Sequence, residues 1–306
     1  MAGLSEIQSL EEISYKSKLK FYLYPVIIGF LFSISFLNYF PIGEQLKGFM
    51  KKNLAGSACN PDYDDLRIEW ILPKIVVSGL NIPAGCLGRI GEPIKFTFVS
   101  IQFNFISFAP FGIPFKIESE LNGQPMTIYY VQGFGERILR IKDQPIVISR
   151  LQPLMSSNLK LSGNILFDLT AKITNGGALK DMDFKMRSTD FQLPSQNIQG
   201  FTTPNVKLNE MYIEAKSENS STVKVEKIIL GDPDSPIRAN LKGQIDLQQG
   251  NISFSPINLK GEIAFTENFK QTVPLVDLFF QNFTQKDGFY QIRIGGNLGQ
   301  PKLINP

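Results

Sequence analysis

Leu161-Ser-Gly163-Asn-Ile165-Leu-Phe167, Leu241-Lys-Gly243-Gln-Ile245-Asp-Leu247 and Leu259-Lys-Gly261-Glu-Ile263-Ala-Phe265 are three copies of one pattern, with Ile294-Gly-Gly296-Asn-Leu298 as a truncated fourth. Alternate positions are apolar or glycine, and most of the positions between them are polar. That period of two is the signature of a strand with one buried face. A glycine on the apolar side leaves room for a neighbouring backbone, a bulky side chain or a ligand, and lets a sheet coil. The copies are unevenly spaced, so they describe a sheet idiom and not a solenoid of fixed period.

Further alternating runs lie around the copies. Val206 to Ile213 and Val223 to Leu230 read as strands, separated from their neighbours by turn signals at Asn175-Gly176, Asp232-Pro233 and Gly250-Asn251. Upstream, Asn122-Gly123 marks a hairpin between strands around Ile117 and Ile128. Leu66, Ile68 and Trp70 alternate, and Ile75 to Asn81 forms a second extended run. Lys95 to Phe108, KFTFVSIQFNFISF, is apolar on both parities, which requires either a bulge near Val99 that switches the phase or a sheet covered on both faces. Pro274 to Phe283 is the one helix-like insertion late in the chain. Residues 132–158 are the least regular stretch, with a helix or crossover expected over Glu136 to Ile141 and a sub-boundary if the domain has two halves.

The other decisive stretch is Phe21 to Phe40, FYLYPVIIGFLFSISFLNYF, which carries no formal charge. As a helix it would reach roughly 30 Å, the thickness of a bilayer's hydrocarbon core, with Tyr22, Tyr24 and Tyr39 at interfacial positions. Its length and its lysine flanks favour a single membrane span over a cleaved signal peptide or a buried helix. The expected organisation is a tail over 1–20 with a short amphipathic helix, a span over 21–40, a juxtamembrane stalk helix over 41–55, and a β-rich domain over 56–306. Lys and Arg are balanced at the two ends, so charge alone does not orient the span. A short N-terminal tail and two cysteines beyond the span favour an exported C-terminal part. Cys59 and Cys86 bracket the first two strands and are the expected disulfide, closing a loop worth on the order of 3 kcal/mol.

Composition narrows the chemistry. The chain has 306 residues, 43% of them hydrophobic, with 25 Phe, 25 Gly, 19 Pro and a formal charge of +3. Acids and bases are intermingled, so no basic surface for nucleic acid is expected. Histidine is absent, which removes His-dependent triads, histidine metal ligation and HExxH chemistry. Gly133-Phe-Gly135 lacks the completion of a dinucleotide loop, and no GK[ST] triplet is present. Asp64 with Asp65, and Asp181 with Asp183, read as solvated surface acids. Asn219, Asn251 and Asn282 begin N-x-[ST] triplets that matter only in a glycosylating pathway. No catalytic, metal-binding or cofactor-binding residue is nominated, and the expectation is a protein that is not an enzyme and carries no cofactor.

Three places carry a family likeness. Phe40-Pro41 followed by Leu46-Lys47, then Leu66-Arg-Ile68 with Pro73 and Ser78-Gly79-Leu80-Asn81-Ile82, and finally Gly288 to Pro301 with its Gly296-x-Leu298-x-x-Pro301 ending, resemble the AsmA-like superfamily. Within it they resemble the protein N family of bacterial type II secretion systems. The resemblance implies a bacterial inner-membrane protein with a single span and a periplasmic, long, curved antiparallel sheet shaped like a taco shell. It implies a role with a secretion apparatus or in outer-membrane biogenesis, and no catalytic residues.

Two functions follow as expectations. One is a non-enzymatic subunit that docks to secretion-system partners through an exposed strand edge. The other is a lipid carrier whose apolar groove, lined by Phe98, Phe103, Phe105, Ile165, Ile245 and Ile263, holds phospholipid acyl chains. An ordinary sandwich core competes with such a groove on pattern alone.

Overall fold

The computed structural model describes residues 28–29, 61–69, 74–83, 93–104, 112–154, 160–198, 201–248 and 252–305. The expected stalk helix, Phe105 and both cysteines lie outside these residues, as does the expected span apart from Ile28 and Gly29. Among the described residues no helix is long and apolar enough to cross a membrane.

The protein is mainly β. Among the described residues fifteen strands form one antiparallel sheet in which nearly every strand pairs with its neighbour in sequence. In order they are β1 (Asp65–Glu69), β2 (Lys74–Ile82), β3 (Ile94–Phe103), β4 (Gly112–Leu121), β5 (Gln124–Gly133), β6 (Glu136–Val147), β7 (Asn164–Thr174) and β8 (Leu179–Leu193). A small hairpin of β9 (Gln196–Ile198) and β10 (Phe201–Thr203) stands apart. The sheet resumes with β11 (Val206–Ser217), β12 (Thr222–Leu230), β13 (Ile237–Asp246), β14 (Ile257–Phe265), β15 (Gln285–Lys286), β16 (Phe289–Asn297) and β17 (Gln300–Ile304). β15 and β17 both pair with β16 and form the last edge.

Tight turns follow from local chemistry. Asn122 (φ 50°) and Gly123 (φ 73°) both adopt positive φ between β4 and β5, as a type I′ hairpin turn requires. Asp287 and Gly288 repeat the arrangement between β15 and β16.

Glu136 to Ile141 is strand, not helix or crossover, and the sheet runs through 132–158 by way of β6. A period of two was present there, with Leu139 and Ile141 on one parity. The insertion after β14 holds two short helices, α1 (Glu267–Thr272) and α2 (Leu275–Phe280). Thr266 caps α1 by accepting a hydrogen bond from the Phe269 backbone N–H. Phe265, Phe280 and Tyr290 pack as an aromatic group at this end of the sheet, with Phe265 and Phe280 5.1 Å apart between ring centroids.

A one-residue slip would turn every side chain of a strand to the other face. The sequence slips several times, and a bulge absorbs each slip. In β3, Phe96 pairs with Leu121 and Phe98 with Glu120, so Thr97 is the extra residue and the apolar parity changes from Ile94 and Phe96 to Val99, Ile101 and Phe103. The bulge alternative for Lys95 to Phe108 therefore holds. β6 is interrupted between Ile141 and Gln144, where Asp143 has φ 40°. β12 is interrupted between Val225 and Ile228. The strand registers consequently keep one face apolar from β1 to β16.

Candidate functional site

The apolar face is the feature that stands out chemically. One row across it reads Ile75, Ile101, Ile117 and Ile128 on β2 to β5. A second row contains Phe103, Phe115, Tyr130, Leu139, Ala171 and Met182 on β3 to β8. The Phe103 and Phe115 rings meet edge to face at 6.1 Å between centroids, and Phe115 and Tyr130 lie 6.3 Å apart.

Burial divides this face. From Ile146 onward it closes into two clusters. The first joins Ile146, Ile148, Ile165, Phe191, Leu208 and Met211, with Leu151 of the 3₁₀ turn after β6 and Phe269 of α1 packed against it. The second joins Ala215, Val223, Val225 and Leu259, with residues from Leu179 to Ile294 against it. The first half stays half open. All nine residues of β2 are half-buried, Ile101 is 39% exposed and Ile113 51%. Among the described residues there, Leu66, Ile94 and Leu121 are the buried apolar side chains.

The expected groove residues separate accordingly. Phe103 lies on the apolar face. Phe98 lies on the opposite face, because the Thr97 bulge changes the parity between the two. Ile165 is 7% exposed, inside the first closed cluster. Ile245 packs against the second cluster, and Ile263 is half-buried between Ala239 and Tyr290.

The repeat glycines admit backbone, not ligand. A Cβ on Gly261 would stand 2.0 Å from the Asn240 carbonyl oxygen, and one on Gly243 2.1 Å from that of Asn258. Only hydrogen fits at either position, so the adjoining strands approach where the repeat demands it.

The two halves meet at β5 and β6, where the ladder holds four residue pairs, Tyr129–Arg140 to Gln132–Arg137. Beyond it, side chains take the place of backbone bonds. Gln124 Nε2 donates to the Pro145 carbonyl at 2.9 Å and its Oε1 accepts from the Val147 N–H at 3.0 Å. Gln144 Oε1 accepts from the Thr127 N–H at 3.1 Å. These amides satisfy polar groups that the splayed strands would otherwise leave unpaired.

Sequence reasoning passed over the residue beside this junction, Arg137. The strand pairing places it on the apolar face, next to Gln132 on β5 and Ile173 on β7. The signal was its shared parity with Leu139 and Ile141.

The opposite face is polar and laced with surface ion pairs. Lys172 Nζ meets Asp181 at 2.9 Å and Lys180 Nζ meets Glu136 at 2.7 Å. The hydrogen bonds from these lysines hold the Asp181 and Glu136 carboxyls below their ordinary range. Exposed pairs of this kind are screened by solvent and add little to stability. Asp143, Asp168, Lys185, Arg187 and Tyr212 line a cleft on this face. Among the described residues no group of His, Cys, Asp or Glu is arranged to hold a metal ion. No family model, curated protein or solved structure matches the chain.

Proposed function

We propose that the protein carries acyl chains of phospholipid on the half-open part of its apolar face, tethered to a membrane by residues 21–40. One observation carries the reading: a mostly apolar face whose first half, β2 to β5, keeps isoleucine and aromatic side chains partly in contact with solvent. Apolar surface left in water costs about 25 cal/mol per Å², so a face of this extent gains by taking an apolar occupant. In this reading the sheet is curved, the apolar side is its inner wall, and the sheet stands in the compartment that receives the C-terminal part. The resemblance to the AsmA-like superfamily agrees with this reading.

The test is lipid extraction and native mass spectrometry of the full chain purified in detergent. Phospholipid should accompany the wild-type protein, and Ile101→Glu combined with Ile128→Glu should remove most of it while the fold persists. A lipid-free wild type, or full retention by the double variant, sinks the proposal.

Docking to a secretion apparatus is the second reading, supported by the open edge. All five residues of β17 are exposed, including Leu303 at 47% and Ile304 at 42%. An unpaired strand edge accepts an added strand, although Pro301 and Lys302 on β17 are residue types that discourage such pairing. Photo-crosslinking from position 303 in intact cells separates the readings: docking requires a protein adduct there, and a lipid carrier requires none.

A further inference from the structure

We propose that Arg137 is the headgroup anchor of the acyl-chain site, holding the phosphate of an anionic phospholipid whose chains lie along β3 to β5. The inference rests on the acyl-chain reading above and adds the polar half of the ligand. Among the described strands from β1 to β16, the registers place one charged residue on the apolar face, and it is Arg137. Among the described residues its side chain has no ion-pair or hydrogen-bond partner, and its Nε is buried.

A guanidinium cannot shed its charge, and an unsatisfied buried N–H costs on the order of 1–3 kcal/mol. On a face that carries no other charge among the described strands, such a group is explained by a ligand that brings an oxyanion to it. Its planar fork matches phosphate in bidentate geometry. The neighbours suit that assignment. Gln132, paired with Arg137 across β5, accepts a hydrogen bond from the Tyr130 hydroxyl at 2.6 Å through Oε1 and donates to the Gly133 carbonyl at 3.0 Å through Nε2. These two side chains are therefore already satisfied, and the arginine keeps its donors. The pair lies one residue from the start of β6, at the rim of the face, while Phe115 and Ile128 begin the apolar floor further in. A headgroup at the rim with chains running inward is the arrangement an amphiphile requires.

The test measures binding of phosphatidylglycerol carrying a fluorescent acyl chain, and of a diacylglycerol carrying the same chain, to the delipidated full chain in detergent. Arg137→Gln should weaken phosphatidylglycerol at least tenfold and leave diacylglycerol unchanged, and Arg137→Lys should restore part of the loss. High salt should weaken the first ligand only. Equal loss of both ligands would make Arg137 a structural residue and overturn the inference, as would unchanged binding of both. Displacement of the labelled phosphatidylglycerol by inorganic phosphate at equal concentration would also overturn it, by assigning a plain anion site. If neither lipid binds the wild type, the acyl-chain reading itself falls, a result distinct from all the others.

Discussion

The two halves of the sheet, β1 to β5 and β6 to β17, are built from the same alternating strands and end with opposite degrees of closure. In the second half, the Gly243 and Gly261 hydrogens let β13 and β14 close up, and the 3₁₀ turn after β6 and α1 cover one end. Ile165, Val223, Val225 and Leu259 are buried as a result. In the first half, the apolar side of β2 to β4 is filled with isoleucine, valine and phenylalanine, and it carries no glycine pair of this kind. Apart from the buried Ile94, Ser119 and Leu121, its side chains remain half-buried or exposed. Apolar patterning makes a face, whereas glycine placement and covering segments decide whether the face becomes a core.

The largest effect expected from breaking this contrast is at Gly261. Gly261→Ala drives a methyl into the Asn240 carbonyl and must part β13 from β14, which should cost about 3 kcal/mol or more. A thermal or urea midpoint within error of wild type would show that the second half does not depend on that approach.

Next comes a matched pair of truncations across the halves. Ile165→Ala empties space in a closed cluster and should cost about 3 kcal/mol, whereas Ile101→Ala, at a position 39% exposed, should cost about 1 kcal/mol. Equal losses in urea unfolding would mean that the first half is as closed as the second.

The smallest expected effect is electrostatic. Asp190 on β8 accepts a 2.7 Å hydrogen bond from the Asn164 backbone N–H and another from the Asn164 side chain, and the backbone bond leads in holding its carboxyl below the ordinary range. A carboxyl whose folded pKa is depressed contributes stability above its unfolded value, about 4, and loses it as pH falls through the folded value. Asp190→Asn should therefore lower stability slightly at pH 7 and flatten the fall in stability below about pH 4. An unchanged acid limb in the variant would remove Asp190 from the account.

Much of the first-order design was legible before any coordinates. The alternation in Val206 to Ile213 and Val223 to Leu230 became strands β11 and β12, and Asn122-Gly123 became the turn it predicts. Hairpin chemistry and side-chain parity are local, so they can be read locally. Glu136 to Ile141 escaped because it mixes charge with apolar residues and follows Gly133-Phe-Gly135, so neither period dominated.

The face assignments were less legible. Phe98 and Phe103 share a run of phenylalanines, yet the extra residue at Thr97 puts them on opposite sides. A bulge is decided by what the partner strand offers, here Leu121 and Glu120, and no single strand contains that information. The same holds for Arg137, whose position matters only because all the facing strands present uncharged side chains beside it. Composition and periodicity by themselves determined an antiparallel sheet with one apolar face. Tertiary structure decided which glycines admit a backbone, which half closes and that Arg137 falls on the apolar face, because those depend on distances between strands that the chain brings together only on folding.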